Sequence, residues 1–320
     1  MTAKIITVVG ATGAQGKGVV SAFLNNPSYK VRAITRNTTS AAAAALVASG
    51  AEVVQADLNS LASVQAAFAG SSIIYAVTNF FEPFATHSSP VKAMEIEVQQ
   101  GINMAVAAAA VPTLEHYIWS TLPNAMAISN GKYLVPHFDA KNKIDAYIRT
   151  QQPALLQKTT FLWVTWYHSN YTFPMFTPYW IPTAGKFIQL ANYAPDTPIT
   201  TIGDVTVNIG KFVQAIVAQP EKTAHGAIVQ AASEEGVPAE GMLQRWATAK
   251  GVKAQQVRVD GAAFREVWPL WAEEMGVMME FWDEYREKSW TEVGKTIVTA
   301  KDLGVEGFQT LDEGFKGLEL

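Results

Sequence analysis

From residue 4 to residue 149 the chain alternates two kinds of pattern. Short runs of consecutive apolar and β-branched residues cover 4–9, 29–35, 51–56, 72–77 and 116–120. They predict strands buried on both faces, which need no polar alternation. Between them, residues 16–24, 40–49, 61–69, 91–110 and 140–149 carry apolar positions at helical spacing. A Ser or Thr stands ready to cap the alanine-rich helix at 40–49. Strand and helix in regular alternation mark βαβ units, whose crossovers are right-handed. The prediction is an α/β fold built on a doubly wound parallel sheet.

The pattern changes at residues 161–193, which include FLWVTWYHSNYTFPMFTPYWIP. This segment looks poor in long regular elements and well suited to the wall of an apolar pocket. Trp163, Trp166, Tyr167, Tyr171, Phe173, Tyr179 and Trp180 are the residues from which such a wall would be drawn. Strand and helix patterning returns at 199–218, and another strand is expected at 226–231. The tail, 238–320, reads as mainly helical. Its tryptophans, Trp246, Trp268, Trp271, Trp282 and Trp290, are equally consistent with core, a lid or an interface. Residues 1–157 thus form the sheet domain, with parts of 199–232 returning to it. Residues 158–320 otherwise make a smaller, interleaved C-terminal α/β domain, aromatic-rich and helical, for substrate.

Composition narrows the function. Apolar residues make up 49% of the 320 and charged residues only 16%, against an average of about 25%. So low a charge suggests surface covered by a second copy of the chain or by a protein partner. The net charge is −4 and no block of Lys and Arg occurs. Direct contact with nucleic acid or an anionic membrane has no electrostatic footprint. With no cysteine, thiolate chemistry and disulfides are excluded. His87, His116, His137, His168 and His225 show no paired ligand spacing, so no metal site is expected. No apolar stretch reaches the roughly 18 residues that span a bilayer, and a soluble cytoplasmic protein is the expectation.

The sharpest local signal is VVGATGAQGKGVV. Gly10, Gly13 and Gly16 stand between the first predicted strand and the first predicted helix. Glycines there permit a tight turn and bring a pyrophosphate against backbone N–H groups, with the helix N-terminus adding its dipole. The end of the second strand, VRAITRNTT, lacks the carboxylate that would bond the ribose 2′-hydroxyl of NAD. Arg36, among Thr35, Asn37 and Thr38, offers a bidentate fork to a 2′-phosphate instead, so NADP(H) is the expected cofactor. Asp57 either contacts the adenine amino group or caps the helix that follows it.

Together GATGAQG at 10–16, ITRN at 34–37, ADL at 56–58, VTNFFE at 77–82, HFDAK at 137–141 and WYHSN at 166–170 resemble the NmrA-like family. This is an atypical branch of the short-chain dehydrogenase/reductases. The resemblance spans nearly the whole chain and implies a Rossmann-like NADP(H) domain closed by a smaller C-terminal domain. By motif match it implies cofactor contacts from Gly10, Thr12, Gly13, Gln15, Gly16, Arg36, Asp57, Leu58, Thr78, Asn79 and Phe80. It also places Lys141, Tyr167 and Asn170 near the nicotinamide ribose. His168 and Ser169 depart from the aromatic and acidic pair more usual in the family.

The family divides between reductases, often of fungal secondary metabolism, and NADP-binding regulators that act through protein partners. Two functions are therefore expected. One is an oxidoreductase that reduces a C=N, C=O or activated C=C bond of a bulky aromatic or amine-derived molecule, with iminium acid–base chemistry as a variant. The other is a non-catalytic NADP(H) sensor. Three residues are candidates for catalysis. Lys141 holds the ribose hydroxyls or, if desolvated, moves a proton. His137 stands four residues before it, on the same face if the helix covers both; a helix starting after 137, which Pro136 permits, would leave its direction open. Ser120 ends the fifth strand, either as a polarising hydroxyl or as a turn residue.

Overall fold

The computed structural model describes residues 3–319. The strands in chain order are β1 (Lys4–Val8), β2 (Tyr29–Thr35), β3 (Glu52–Gln55), β4 (Ile73–Ala76), β5 (His116–Thr121), β6 (Thr159–Val164) and β7 (Trp166–Tyr167). They continue with β8 (Tyr179–Ile181), β9 (Lys186–Ala191), β10 (Pro198–Gly203), β11 (Ala227–Ala231), β12 (Glu234–Pro238), β13 (Ala254–Arg258) and β14 (Ile297–Val298). Eight of them form one sheet in the order β14-β11-β6-β5-β4-β1-β2-β3, parallel at every pairing. This is the Rossmann-like doubly wound sheet expected. The chain reverses direction of build at the β1/β4 junction, where such sheets open a crevice at the carboxyl ends of their strands.

Both faces of the sheet are covered, and β6 shows how. Phe161 and Trp163 enter one core with helices Leu61–Phe68, Pro90–Ala109 and Pro136–Gln151; Leu162 and Val164 enter the other with helices Ala14–Leu24 and Val205–Ala218. Every residue of β5 and β6 is buried. The reading of 161 onward as irregular pocket wall is therefore wrong at its start. TTFLWV is β-branched and aromatic, and it forms an interior strand beyond the boundary drawn at residue 157. The prolines that lowered strand content follow only later. Even there, β8 and β9 join β13 in a three-stranded sheet, and β7 joins β10 and β12 in another.

The second difference lies at the helix carrying His137. It runs Pro136–Gln151, four residues earlier than the predicted 140–149. Proline is tolerated at the first helical position, where its missing N–H has no intrahelical partner to lose. Val135 as N-cap has no side chain to satisfy the first turn. Two carboxylates do so instead: Asp139 accepts from the Val135 N–H at 2.7 Å and Glu274 from the His137 N–H at 3.3 Å. His137 and Lys141 consequently share one face.

Candidate active site

The glycine turn is shaped by close approach. Gly10 has φ +65°, in the region glycine tolerates best. A Cβ on Gly16 would lie 2.1 Å from the Gly10 carbonyl oxygen, so no side chain fits there. Gly13 is the N-cap of helix Ala14–Leu24, and it offers no side-chain acceptor; no acidic residue lies in the first turn. The first amide N–H groups are thus left for an anion, as a pyrophosphate requires.

The turn opens into a cleft of about 880 Å³, large enough for a dinucleotide together with a small molecule. All the site residues picked out in the sequence line it. Gly10, Thr12, Gly13, Gln15 and Gly16 follow β1, Arg36 follows β2, and Asp57 and Leu58 follow β3. On the other side Thr78, Asn79 and Phe80 follow β4, Ser120 sits in β5, and Tyr167 and Asn170 lie beyond β6; His137 and Lys141 face in from their helix.

Their partners refine the picture. Arg36 forms an ion pair with Glu82 across the cleft mouth, its side chain 66% exposed. Asp57 accepts from the backbone and side-chain amides of Asn59, both at 2.9 Å. The helix Leu61–Phe68 is capped by Ser60, so the alternative of Asp57 as its cap falls. Ser120 donates to Gln15 Oε1 at 2.8 Å, and Tyr75 donates to the same oxygen. The Gln15 amide donates in turn to the Tyr167 hydroxyl. Burial pushes Tyr167 up to about 12, so it keeps its proton at neutral pH.

Lys141 and His137 are each matched by a buried carboxylate. Lys141 Nζ donates to Thr78 Oγ1 at 2.9 Å and lies 3.1 Å from Glu97 Oε1. Thr78 Oγ1 donates to the same carboxylate oxygen at 2.6 Å. His137 Nδ1 pairs with Glu274 Oε1. Glu97 and Glu274 are both fully buried. Neither was singled out in the sequence. Glu97 has a visible signal, for it shares the helical spacing of Ala93, Gly101 and Met104 on an otherwise apolar face. Glu274 has none, because its role depends on a segment 137 residues away in the chain. Glu82 stood inside a recognised motif without an assigned part.

The aromatic wall is narrower than expected. Trp166, Tyr167 and Phe173 line the cleft, joined by Met275, Met278, Trp282 and Trp290 from the tail. Trp163 and Tyr171 are core instead. Tyr179 and Trp180 are 43% and 51% exposed. Trp246 stacks on Tyr171 within the core, and Trp271 packs on Phe81, Phe84 and Phe173.

Comparison with known proteins agrees with this architecture. An NmrA-like family oxidoreductase of Aspergillus hancockii, hkm9, is 30% identical over 242 residues, 73% of this chain and 69% of the relative. Among solved structures, the negative transcriptional regulator Nmra in complex with NAD superposes with a TM-score of 0.79 at 20% identity, covering 99% of this chain and 96% of the other. The NADPH-dependent quinone oxidoreductase QOR2 of Escherichia coli, complexed with NADPH, gives 0.69 at 18% identity over 97% and 98%. The model of the NmrA-like family matches residues 2–313. With that match across almost its whole length, the chain belongs to the NmrA-like family.

Proposed function

We propose that the protein is an NADP(H)-dependent oxidoreductase that reduces a C=N, C=O or activated C=C bond of a bulky aromatic or amine-derived molecule, in fungal-type secondary metabolism. One observation carries the reading: a buried, paired His137–Lys141 face stands in the same cleft as the uncapped helix N-terminus and an aromatic wall. The oxidoreductase name of the Aspergillus relative supports it.

The helix N-terminus after Gly13 holds the pyrophosphate, and Arg36 receives the 2′-phosphate. Thr78 and Lys141 bind and orient the nicotinamide ribose, with Glu97 holding the lysine in place. Bound NADPH supplies a hydride. Trp166, Phe173, Met278 and Trp282 exclude water and present flat apolar surfaces to the substrate. His137 supplies the proton. Ser120, whose hydroxyl hydrogen is directed to Gln15, contributes to fixing Tyr167 rather than polarising the substrate.

The test is an assay of NADPH oxidation with a panel of imines, enones, quinones and aldehydes, followed at the nicotinamide absorbance. Turnover that requires His137 supports the reading. Tight NADPH binding with no turnover across the panel replaces it with a cofactor sensor.

A further inference from the structure

We infer that Glu274 is the positioning residue for His137, so that the C-terminal segment supplies half of the proton-donating unit. The inference rests on the proposal that His137 donates the proton. Glu274 lies just before helix Met275–Tyr285, far in sequence from the helix carrying His137, and it is fully buried. Its Oε1 receives both the His137 backbone N–H, at 3.3 Å, and Nδ1 of the ring. No group among the described residues hydrogen-bonds its other oxygen.

Three phenylalanine rings also border the imidazole, and the Asp139 carboxylate of the same helix lies near enough to interact with it. Ring centroids of Phe138, Phe81 and Phe80 lie 4.7, 5.4 and 6.0 Å from that of His137. A carboxylate in contact with Nδ1 keeps a proton on that nitrogen and leaves Nε2 to exchange one with the substrate. It also supplies a counter-charge in direct contact with the imidazolium. Lys141, one turn along, is satisfied separately by Glu97 and Thr78 and does not take this carboxylate.

With NADPH bound, its hydride would form the new C–H bond, and the π pair of C=N or C=O would move to the heteroatom. That atom takes the proton from Nε2. His137 becomes neutral with Nδ1–H still directed at Glu274, and water restores the lost proton. In an activated C=C bond the π pair is taken up by the activating group, and the same proton quenches it.

Glu274→Gln preserves shape and an acceptor for both donors, so the fold should survive. The expected result is a kcat lower by roughly 10–100-fold, with KM for NADPH and the melting temperature little changed. In a His137→Asn background the same change should have no further effect on kcat, since both act through one unit. Independently of any substrate, ¹⁵N-histidine NMR of the wild-type chain should show His137 protonated at Nδ1 whenever the ring is neutral. Full kcat in Glu274→Gln beside an impaired His137→Asn overturns the positioning role alone. An unimpaired His137→Asn overturns the proton-donor reading beneath it. A neutral His137 carrying its proton on Nε2 overturns the pairing even if no tested substrate turns over.

Discussion

Arg36 is where two anions compete. Its pair with Glu82 is half in solvent, and such exposed pairs contribute about 0–1 kcal/mol. A hydrogen bond between a charged donor and a phosphate contributes about 1.5–3 kcal/mol. The phosphate should therefore displace Glu82. Arg36→Ala is expected to weaken NADPH roughly 10–100-fold and NADH hardly at all, while Glu82→Gln tightens NADPH; fluorescence titration of both nucleotides measures this. Equal losses for the two nucleotides in Arg36→Ala would end the 2′-phosphate assignment. At this scale the sequence was a good guide to residues whose position follows from a strand end, such as Arg36 and Asp57. It was silent on Glu274, whose meaning is its distance from a histidine in another segment.

Between elements, the clearest contact is the crossing of helices Ala14–Leu24 and Val205–Ala218. A Cβ on Gly18 would lie 2.5 Å from Ile209 Cγ2, and one on Gly210 would lie 2.6 Å from both Ala22 Cβ and the Gly18 carbonyl oxygen. Gly210→Ala should force the helices apart and destabilise the protein by roughly 1–3 kcal/mol, read from urea unfolding. The helix Pro136–Gln151 docks on β5 through Asp145, which accepts from Trp119 Nε1 at 2.7 Å and from Thr121 Oγ1 at 2.9 Å.

Burial pushes Asp145 up to about 7, with Thr121 and Trp119 opposing it, from about 3.9 in an unfolded chain. Between these values the folded protein holds a proton that the unfolded chain has released. Its contribution is thus present below about pH 4 and lost as the pH rises to about 7. Asp139, raised to about 6 by burial, acts in the same direction. His116, lowered by burial to about 4, acts oppositely, since the unfolded chain binds the extra proton below about 6.5. Asp145→Asn removes only the first of these. Its stability relative to wild type should rise steadily from pH 4 to 7 in denaturant titrations; a constant difference would show that Asp145 titrates normally.

Across the whole molecule, the large sheet draws strands from residues 4–8 as well as from 297–298, and the cleft draws its walls from both halves. Unfolding one half would strip strand partners and core from the other. Calorimetry should therefore show one cooperative transition, with equal calorimetric and van't Hoff enthalpies. NADPH should raise its midpoint through binding to the folded state alone. Two resolved transitions would mean that the smaller sheets melt independently.

By itself the sequence determined what local physics controls. Burial on both faces makes an unbroken apolar run, so β4 and β5 were legible; β1, β2 and the exposed edge strand β3 were legible from their β-branched residues, as was the helix Ala41–Ala48 with its Ser40 cap. The glycine turn was legible because only glycine fits backbone approaching this closely. Only the tertiary structure decided where the helix before Lys141 begins, because its first turn is satisfied in part by Glu274 from the tail. It also decided which aromatic residues face the cleft. Trp163 and Trp166 are three residues apart, yet one lies in an interior strand and the other just beyond its end. A side chain's chemistry is written in the sequence. What a buried charge is paired with depends on segments that meet only when the chain has folded.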